Sequence, residues 1–303
     1  MNKEQRTIKP KIVFIGTPDF AATILEATVR YSLFVVYCVV TAPDKPVGRK
    51  QILTPPPVKI SAQKYNIPVL QPEILANSKS QITNYKPDLI IVAAYGQVLP
   101  KEILEIPKYG CLNVHPSLLP KYRGPSPIQT TILNGDKETG VTIILMDKKI
   151  DHGPIISNSK FKIQNSKFTY EELLKKLANL GAKLLIETIP KWINGEIKPK
   201  TQAESKATYT KILKKEDGKI DWKKSAEEIE RQVRAFYPWP GSFTFIKKNN
   251  KVIRVKILEA EVSKSNQLII KKVQPEGKKP MGFEEFKRGY LCSIIPNLEK
   301  EPE

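Results

Sequence analysis

Cysteine is scarce in this chain, and its few copies lie far apart. Cys38, Cys111 and Cys292 include no close pair, which disfavours a disulfide framework and a zinc site. Long apolar runs are also missing, so we expect no transmembrane helix. The first ten residues are polar and lack the hydrophobic segment of a signal peptide. Together these absences predict a cytoplasmic protein.

A glycine-rich phosphate loop is missing as well, and acidic residues are few. Gly16 follows the first apolar strand alone, where a dinucleotide-binding loop would carry three glycines, so nicotinamide binding is disfavoured. Basic residues outnumber acidic ones by 50 to 31, a formal net charge of +19 over 303 residues. Such an excess indicates either a polyanionic partner or a lysine-rich proteome, and composition alone leaves both open.

Apolar strands alternate with helices along the first two thirds of the chain. Strands are predicted at residues 11–15, 34–41, 69–70, 88–94 and 140–147, and helices at 18–30, 58–65, 74–85, 128–133 and 169–192. Thr17 is expected to cap the first of these helices. The alternation predicts an α/β domain over residues 10–194 with a mostly parallel, doubly wound sheet. Residues 42–57, rich in proline and basic side chains, are predicted to form an exposed irregular loop.

The composition changes near residue 195. Residues 195–208 are polar, contain Pro199, and are predicted to be a linker. Beyond them come a helical pattern at 226–236 and alternating runs at 242–246, 251–260 and 268–273. These short strands around one helix predict a small β-barrel domain over residues 209–303. The positive charge per residue is also higher after residue 205 than before it.

The stretch with the most chemical content is GCLNVHPSLLPKYRG at residues 110–124. Asn113 and His115 stand two apart at the end of a strand that Pro116 terminates, so their side chains share one face. Open α/β sheets bind ligands at such strand ends. An amide beside an imidazole suits a reaction that builds negative charge on an oxygen, although an isolated pair is more often structural. Cys111 shares the face, and we interpret it as a buried thiol.

The residues around this pair resemble the signature of the formyltetrahydrofolate-dependent formyltransferases. The resemblance is carried by NVHPSLLP at 113–120, YRG at 122–124, PIQ at 127–129, TGVTI at 139–143 and DHGPI at 151–155. Within that family, GTPDF at 16–20 and PDKPVGR at 43–49 are similar to the members that act on methionyl-tRNA. The order and spacing of the blocks match, which makes the resemblance specific.

The resemblance implies formyl transfer from 10-formyltetrahydrofolate to the amine of methionine on initiator methionyl-tRNA, without a metal. It gives the reaction's oxyanion to Asn113 and His115. It gives Asp151 the task of tuning His115 and helping to deprotonate the attacking ammonium. The residues implied to bind the folate are Tyr95, Gly96, Ser117, Leu118, Leu119 and Pro120.

The resemblance also implies where the tRNA binds. It assigns the tip of the 42–57 loop, Arg49 and Lys50, to the acceptor arm of the tRNA. The family's C-terminal domain is OB-like and binds tRNA, and this chain lacks one pair of its strands. The implied fold is therefore a Rossmann-like N-terminal domain followed by a shortened OB-like barrel. We expect the protein to be a monomer.

Two alternatives remain. One is a folate-dependent formyltransferase for a small amine, such as glycinamide ribonucleotide or an amino-sugar nucleotide, and the HPS variant at 115–117 resembles the glycinamide enzymes. The other is a catalytically silent RNA-binding protein on the same scaffold. The first does not explain the basic C-terminal part or the loop of Arg49. The second does not explain the joint presence of Asn113, His115 and Asp151.

Overall fold

The computed structural model of the chain describes residues 9–31, 33–48, 50–163, 167–248 and 251–290. They belong to two units that interleave along the sequence. The first unit comprises the chain up to Pro125 together with Thr139–Lys162 and Leu174–Thr210. The second comprises Ser126–Glu138, Ile163–Leu173 and the chain from Lys211 onward. The sequence predicts a linker between two consecutive domains at residues 195–208, and these domain boundaries stay a prediction.

Strands and helices alternate along the first unit, which confirms the predicted α/β pattern. The α-helices are α1 Asp19–Arg30, α2 Pro57–Lys64, α3 Lys79–Asn84, α4 Lys101–Leu104, α5 Pro127–Leu133, α6 Tyr170–Ile193, α7 Ala226–Phe236 and α8 Phe283–Tyr290. The strands are β1 Lys11–Gly16, β2 Val35–Val40, β3 Lys45–Val47, β4 Ile52–Thr54, β5 Val69–Leu70, β6 Leu89–Ala93, β7 Cys111–His115, β8 Glu138–Leu145, β9 Ile155–Lys162, β10 Ser242–Lys248, β11 Lys251–Val262, β12 Leu268–Pro275 and β13 Met281–Gly282. Among the described residues, none of these helices is long and apolar enough to span a membrane.

The first unit is organised on a seven-stranded sheet with the order β5-β2-β1-β6-β7-β8-β9. The strands from β5 to β7 run parallel, and β8 is antiparallel to β7. Every residue of β6 is buried, which explains why its sequence is apolar throughout. The winding reverses direction beside β1, and β6 and β7 end at the same edge of the sheet. The residues that follow these two strands therefore lie where such sheets hold their ligands.

The second unit is organised on a four-stranded antiparallel sheet with the order β10-β11-β12-β13. Val273 of this sheet lies in one buried cluster with Val233 of α7 and Phe286 of α8. Ser225 begins α7 with a reciprocal cap: its hydroxyl accepts from the N–H of Glu228, whose carboxylate accepts from the N–H of Ser225. The predicted C-terminal domain of short strands is confirmed, and its strands are antiparallel. Among the described residues the sheet is open, with β10 and β13 at its two edges, so closure of the predicted barrel stays a prediction.

Besides β3 and β4, the strands β9 and β13 and the helices α4 and α8 are absent from the sequence interpretation. Strand β9 has a weak alternation of buried and exposed residues, and α4 is only one turn long. Helix α8 lies beyond the last strand that the sequence indicates. Each of β9, α4 and α8 buries a single residue (Ile156, Ile103 and Phe286), which leaves little apolar pattern for the sequence to reveal.

Two local predictions near the start of the chain are wrong. Residues 42–57 are not irregular throughout, because β3 and β4 pair as an antiparallel hairpin. Pro46 is accommodated there because an edge strand tolerates a residue without an N–H. Thr17 does not cap α1, since Pro18 occupies the N-cap position. The Thr17 hydroxyl instead lies 3.4 Å from the carbonyl oxygen of Tyr95.

The segment predicted as a linker packs on the first unit. Lys200 exchanges backbone hydrogen bonds with Ile155 of β9, at 2.7 and 2.8 Å. The carbonyl oxygen of Thr208 accepts from the N–H of Arg123 at 2.8 Å, and its hydroxyl accepts from the N–H of Tyr122 at 2.8 Å. These residues therefore support the loop that follows β7.

Candidate active site

Strand β7 carries the predicted amide–imidazole pair. All five of its residues are buried between the neighbouring strands β6 and β8. Asn113 is 9% exposed and His115 is 4% exposed. Polar side chains buried this deeply need hydrogen-bond partners. Both find one in the turn that follows β8.

Asp151 joins the pair into one cluster. Asn113 Nδ2 donates to Asp151 Oδ1 at 3.0 Å, and His115 Nδ1 lies 3.5 Å from Asp151 Oδ2. The backbone N–H of Gly124 donates to the same Oδ2 at 2.7 Å. The structure thus brings together the three residues that the resemblance assigns to catalysis. We call Asn113, His115 and Asp151 the trio.

The backbone carbonyl of Tyr122 determines which nitrogen of the His115 ring is protonated. The Nε2 atom of His115 lies 2.9 Å from the carbonyl oxygen of Tyr122. Because a carbonyl can only accept, Nε2 carries a proton in either charge state of the ring. Nδ1 of the neutral ring then carries a lone pair and faces Asp151 Oδ2 at 3.5 Å. The amide of Asn113 uses one of its two hydrogens on Asp151, so the second can reach an oxygen of the substrate.

Thr142 on β8 shapes the loop that holds the predicted folate residues. Its Oγ1 donates to the carbonyl oxygen of Ser117 at 2.7 Å and accepts from the N–H of Leu119 at 3.0 Å. The Ser117 hydroxyl donates to the carbonyl oxygen of Lys121 at 2.6 Å. Ser117 is therefore used in fixing the loop, and its side chain is buried.

The apolar part of this loop is only partly enclosed. Leu119 is buried, whereas Leu118 and Pro120 are half-buried. Leu118 packs on Gly140, where a Cβ would overlap with the leucine side chain. Leu118 and Pro120 therefore keep some apolar surface that a ring of a ligand can cover.

Tyr95 and Gly96 follow β6 and reach the same edge of the sheet. Val92 of β6 is paired with Asn113, which places the two strand ends side by side. The buried hydroxyl of Tyr95 has no hydrogen-bond partner among the described residues, and burial raises the pKa of this phenol. Gly96 has a φ of +87° and open space where a side chain would lie. A polar ligand group that bonded the Tyr95 hydroxyl would remove an unfavourable buried group.

The residues predicted to bind tRNA are placed differently. Lys50 is exposed in the turn between β3 and β4, whereas Asn113 and His115 are buried and Asp151 is half-buried. Arg49 lies outside the described residues. The hairpin also exposes three apolar side chains, Val47, Ile52 and Leu53. The structure therefore shows Lys50 on an accessible element and leaves the role of both basic residues as a prediction.

Other reactive side chains near the trio have different partners. Burial raises the pKa of Cys111 to about 12, so it is a thiol at neutral pH and lacks the thiolate of a nucleophile. This confirms its interpretation as a buried thiol, while Cys292 lies outside the described residues. His152 binds Asp147 at 2.6 Å. In the part of the chain that the structure describes, no group of three or more His, Cys, Asp or Glu side chains could hold a metal ion.

Two buried residues beside the trio have no role in the sequence interpretation. Arg123 is fully buried, and Gln202 is 7% exposed. Arg123 belongs to the YRG block of the family signature, which is a signal in the sequence. Gln202 stands in a polar segment without apolar periodicity, and nothing there indicates that its side chain is enclosed.

Comparison with known proteins adds the family. A family model described as Formyl transferase matches residues 10–189, and one described as Formyl transferase, C-terminal domain, matches residues 212–268. A methionyl-tRNA formyltransferase from Bacillus velezensis is 46% identical over 301 aligned positions, which cover 92% of this chain and 94% of the relative. The chain belongs to the methionyl-tRNA formyltransferase family. The resemblance carried by the sequence blocks is thereby confirmed.

Solved structures of formyltransferases share the fold at low sequence identity. A methionyl-tRNA formyltransferase from Clostridium thermocellum has a TM-score of 0.57 at 20% identity, covering 88% of this chain and 98% of that one. An N-formyltransferase from Helicobacter canadensis, solved with folinic acid and dTDP-3-aminofucose, has a TM-score of 0.60 at 24% identity and covers 84% and 88%. These likenesses confirm the fold class, a mostly parallel sheet domain followed by an antiparallel one.

Proposed function

We propose that this chain transfers the formyl group of 10-formyltetrahydrofolate to the amine of methionine on initiator methionyl-tRNA, the step that prepares this tRNA for translation initiation. One observation carries the proposal. Asn113, His115 and Asp151 lie in contact at the end of β7, in a chain 46% identical to a methionyl-tRNA formyltransferase over 92% of its length. Catalysis is therefore assigned to these three side chains.

The proposed reaction begins by freeing the lone pair of the methionine amine. Asp151 accepts a proton from the ammonium, directly or through His115. The amine then attacks the formyl carbon, a C–N bond forms, and the formyl oxygen becomes an oxyanion. The free hydrogen of the Asn113 amide and the charge of protonated His115 stabilise that oxyanion. A proton from the attacking nitrogen passes to N10 of the folate as the C–N10 bond breaks, so tetrahydrofolate leaves.

The folate is proposed to lie across the ends of β6 and β7. Three observations support this position. The Tyr95 hydroxyl is buried without a partner among the described residues, the loop of Ser117 and Leu119 is fixed by Thr142, and Leu118 remains half-buried. Backbone groups of residues 117–120 and 95–96 would then bond the polar edge of the pterin, and the leucine would cover its ring.

The tRNA is proposed to bind through the basic surface of the chain. The net charge of +19 suits a polyanion, and Lys50 is exposed on the β3–β4 hairpin, next to Arg49 in the sequence. We assign this hairpin to the acceptor arm and the second unit to the body of the tRNA. A tRNA substrate also places the proposed activity in the cytoplasm, and we propose that the enzyme acts there as a monomer.

The decisive test is an acceptor competition. The protein is incubated with 10-formyltetrahydrofolate and methionyl initiator tRNA, glycinamide ribonucleotide or an amino-sugar nucleotide, and formyl transfer is followed. We expect formylation of methionyl-tRNA alone, with uncharged initiator tRNA as the control that lacks the amine. Preferential formylation of a small amine would overturn the substrate assignment. RNA binding without transfer to any acceptor would overturn the enzymatic function.

A further inference from the structure

Gln202 lies in the predicted linker, yet its amide is almost completely enclosed at 7% exposure. Its Nε2 donates to the carbonyl oxygen of Asp151 at 2.8 Å and to that of Gly153 at 2.7 Å. Its Oε1 accepts from Nε and Nη2 of Arg123, at 3.1 and 3.0 Å. Both hydrogens and the oxygen of the amide are thus used, and all of its partners belong to the first unit.

Arg123 fixes the orientation of this amide. A guanidinium only donates and the two carbonyls only accept, so a flipped amide would face like groups on both sides. Arg123 is itself 0% exposed and is held by Glu204 through two parallel bonds of 3.0 Å. Those bonds lower the pKa of Glu204, which keeps the pair charged. Arg123 is thereby occupied with protein partners and is not a phosphate ligand.

The turn that Gln202 bonds is one that needs external support. Asp151 has a φ of +47°, in the left-handed region that non-glycine residues rarely adopt. Gly153 packs so tightly on β8 that a Cβ there would overlap with the carbonyl oxygen of Leu145. A residue in such a conformation keeps it only where the surroundings impose it. The two bonds from Gln202 act on the backbone of this same turn.

We propose that Gln202 is a positioning residue for formyl transfer: its two hydrogen bonds to the 151–153 turn hold the Asp151 carboxylate against Asn113 and His115. This inference rests on the proposed role of Asp151 and extends the site to a segment outside the assigned residues. A displacement of about 1 Å between reacting groups can lower a rate by roughly a hundredfold. Because Gln202 bonds none of the residues assigned to the folate or the tRNA, its effect falls on kcat.

The test replaces the two donors without changing the size of the side chain. Gln202→Glu keeps an oxygen for Arg123 but points a second oxygen at the two carbonyls. We expect kcat to fall by roughly 10- to 100-fold, with KM for 10-formyltetrahydrofolate and for methionyl-tRNA within about threefold.

The matched control is Gln232→Glu in the second unit. Gln232 is 5% exposed, and its Nε2 bridges two backbone carbonyls, those of Gly218 and Lys219, at 3.3 Å each. The chemical change and the burial are therefore the same, but the site is different. We expect its kcat to stay within about twofold of the wild type.

A double variant shows whether Gln202 acts through Asp151. Combined with Asp151→Asn, Gln202→Glu should slow the reaction by no more than about another twofold, because the residue it positions is already lost. A wild-type kcat in Gln202→Glu, or losses that multiply in the double variant, would overturn the inference and leave the role of Asp151 standing. Wild-type turnover in Asp151→Asn alone would overturn both. If Gln202→Glu does not fold by circular dichroism, Gln202→Asn replaces it with the same expectations, since the shorter amide cannot reach Arg123 and both carbonyls.

Discussion

The carboxylate of Asp151 illustrates how much a single side chain can organise. Oδ1 accepts from Asn113, while Oδ2 accepts from the N–H of Gly124 and faces His115. The group is thus fixed on both oxygens while its charge stays next to the imidazole. A base held in this way needs no rearrangement when the ammonium arrives, which is the advantage of preorganisation in a water-poor site.

Replacing Asp151 by asparagine tests the charge separately from the shape. An amide at this position can keep one oxygen for Gly124, but its NH2 then faces the NH2 of Asn113, and the negative charge beside His115 is gone. We expect turnover to fall by at least about a hundredfold, while the dissociation constant for 10-formyltetrahydrofolate changes by less than about threefold. The measurements are single-turnover formylation and equilibrium folate binding. Unchanged turnover with weakened folate binding would make Asp151 a binding residue.

The two histidines of the chain offer a matched pair for the imidazole. His115→Ala should lower turnover by about a hundredfold or more, and so should Asn113→Ala, because each removes a group that stabilises the developing charge. His152→Ala is the control, since His152 bonds Asp147 at 2.6 Å, faces Glu204 at 3.8 Å and contacts none of the trio through its ring, and it should cost less than about fivefold. Circular dichroism checks that each variant is folded. Equal losses from both histidine variants would contradict the assignment of His115.

These residues differ in how far the sequence alone reveals them. Asn113 and His115 could be found from strand alternation, because two residues on one strand share a face whatever the rest of the chain does. Asp151 is 38 residues beyond Asn113, so only the resemblance connects it to them. Gln202 is a further 51 residues beyond Asp151 and lies in a polar segment. Its burial depends on a tertiary contact that no local pattern encodes.

At the scale of elements, the same distinction separates β6 from the β3–β4 hairpin. The buried strand β6 could be predicted because its burial on both faces demands an uninterrupted apolar run. The hairpin could not, because its residues are exposed and Pro46 lies inside one of its strands. The hairpin is defined by its cross-strand hydrogen bonds, and residue composition does not predict those bonds. Lys50 is exposed at the turn of this hairpin, which leaves its cation accessible to a partner.

The hairpin and the second unit should contribute to tRNA binding in different ways. Arg49→Ala removes the cation that precedes Lys50 in the sequence and is expected to lower kcat/KM for initiator formylation by about tenfold, the scale of one charge-assisted hydrogen bond. The dissociation constant of the Arg49→Ala variant for bulk tRNA should change by less than about twofold. The matched control, Arg288→Ala on α8, removes the same charge from the second unit and should weaken initiator and bulk tRNA alike. If Arg49→Ala weakens the use of initiator tRNA and of bulk tRNA equally, the proposal that this residue helps to discriminate between them is wrong.

For the whole molecule, the interleaving of the two units decides how the C-terminal part can be tested. The second unit includes Ser126–Glu138 and Ile163–Leu173 as well as the chain from Lys211 onward. A deletion of the chain after residue 195 would therefore remove Gln202 and Thr208, which support the candidate site. It would also leave Ser126–Glu138 and Ile163–Leu173 without the rest of the second unit. Charge substitution on the intact chain avoids both problems, because exposed lysines contribute little to folding.

Whether the net charge of +19 serves tRNA or only reflects composition can be decided by moving the same loss of charge between the two units. One variant carries four exposed lysine-to-glutamine substitutions in the second unit, at Lys247, Lys251, Lys278 and Lys279. Its control carries four in the first unit, at Lys79, Lys175, Lys176 and Lys191. Both lose the same net charge, so any difference between them reports position and not composition.

Salt dependence supplies the measurement, since each neutralised phosphate releases condensed counterions. For the wild type we expect the logarithm of the tRNA association constant to fall steeply with the logarithm of salt concentration. The second-unit variant should flatten that slope by about 0.7 to 0.9 for each phosphate that the protein no longer neutralises, and the first-unit control should leave the slope unchanged. Folate affinity should be the same in all three proteins, because the trio and its folate residues keep their charges.

If both variants flatten the slope equally, the charge acts as a diffuse field without a preferred surface. If the wild type itself shows almost no salt dependence, the basic excess is compositional, and a small amine becomes the better acceptor for the trio of Asn113, His115 and Asp151.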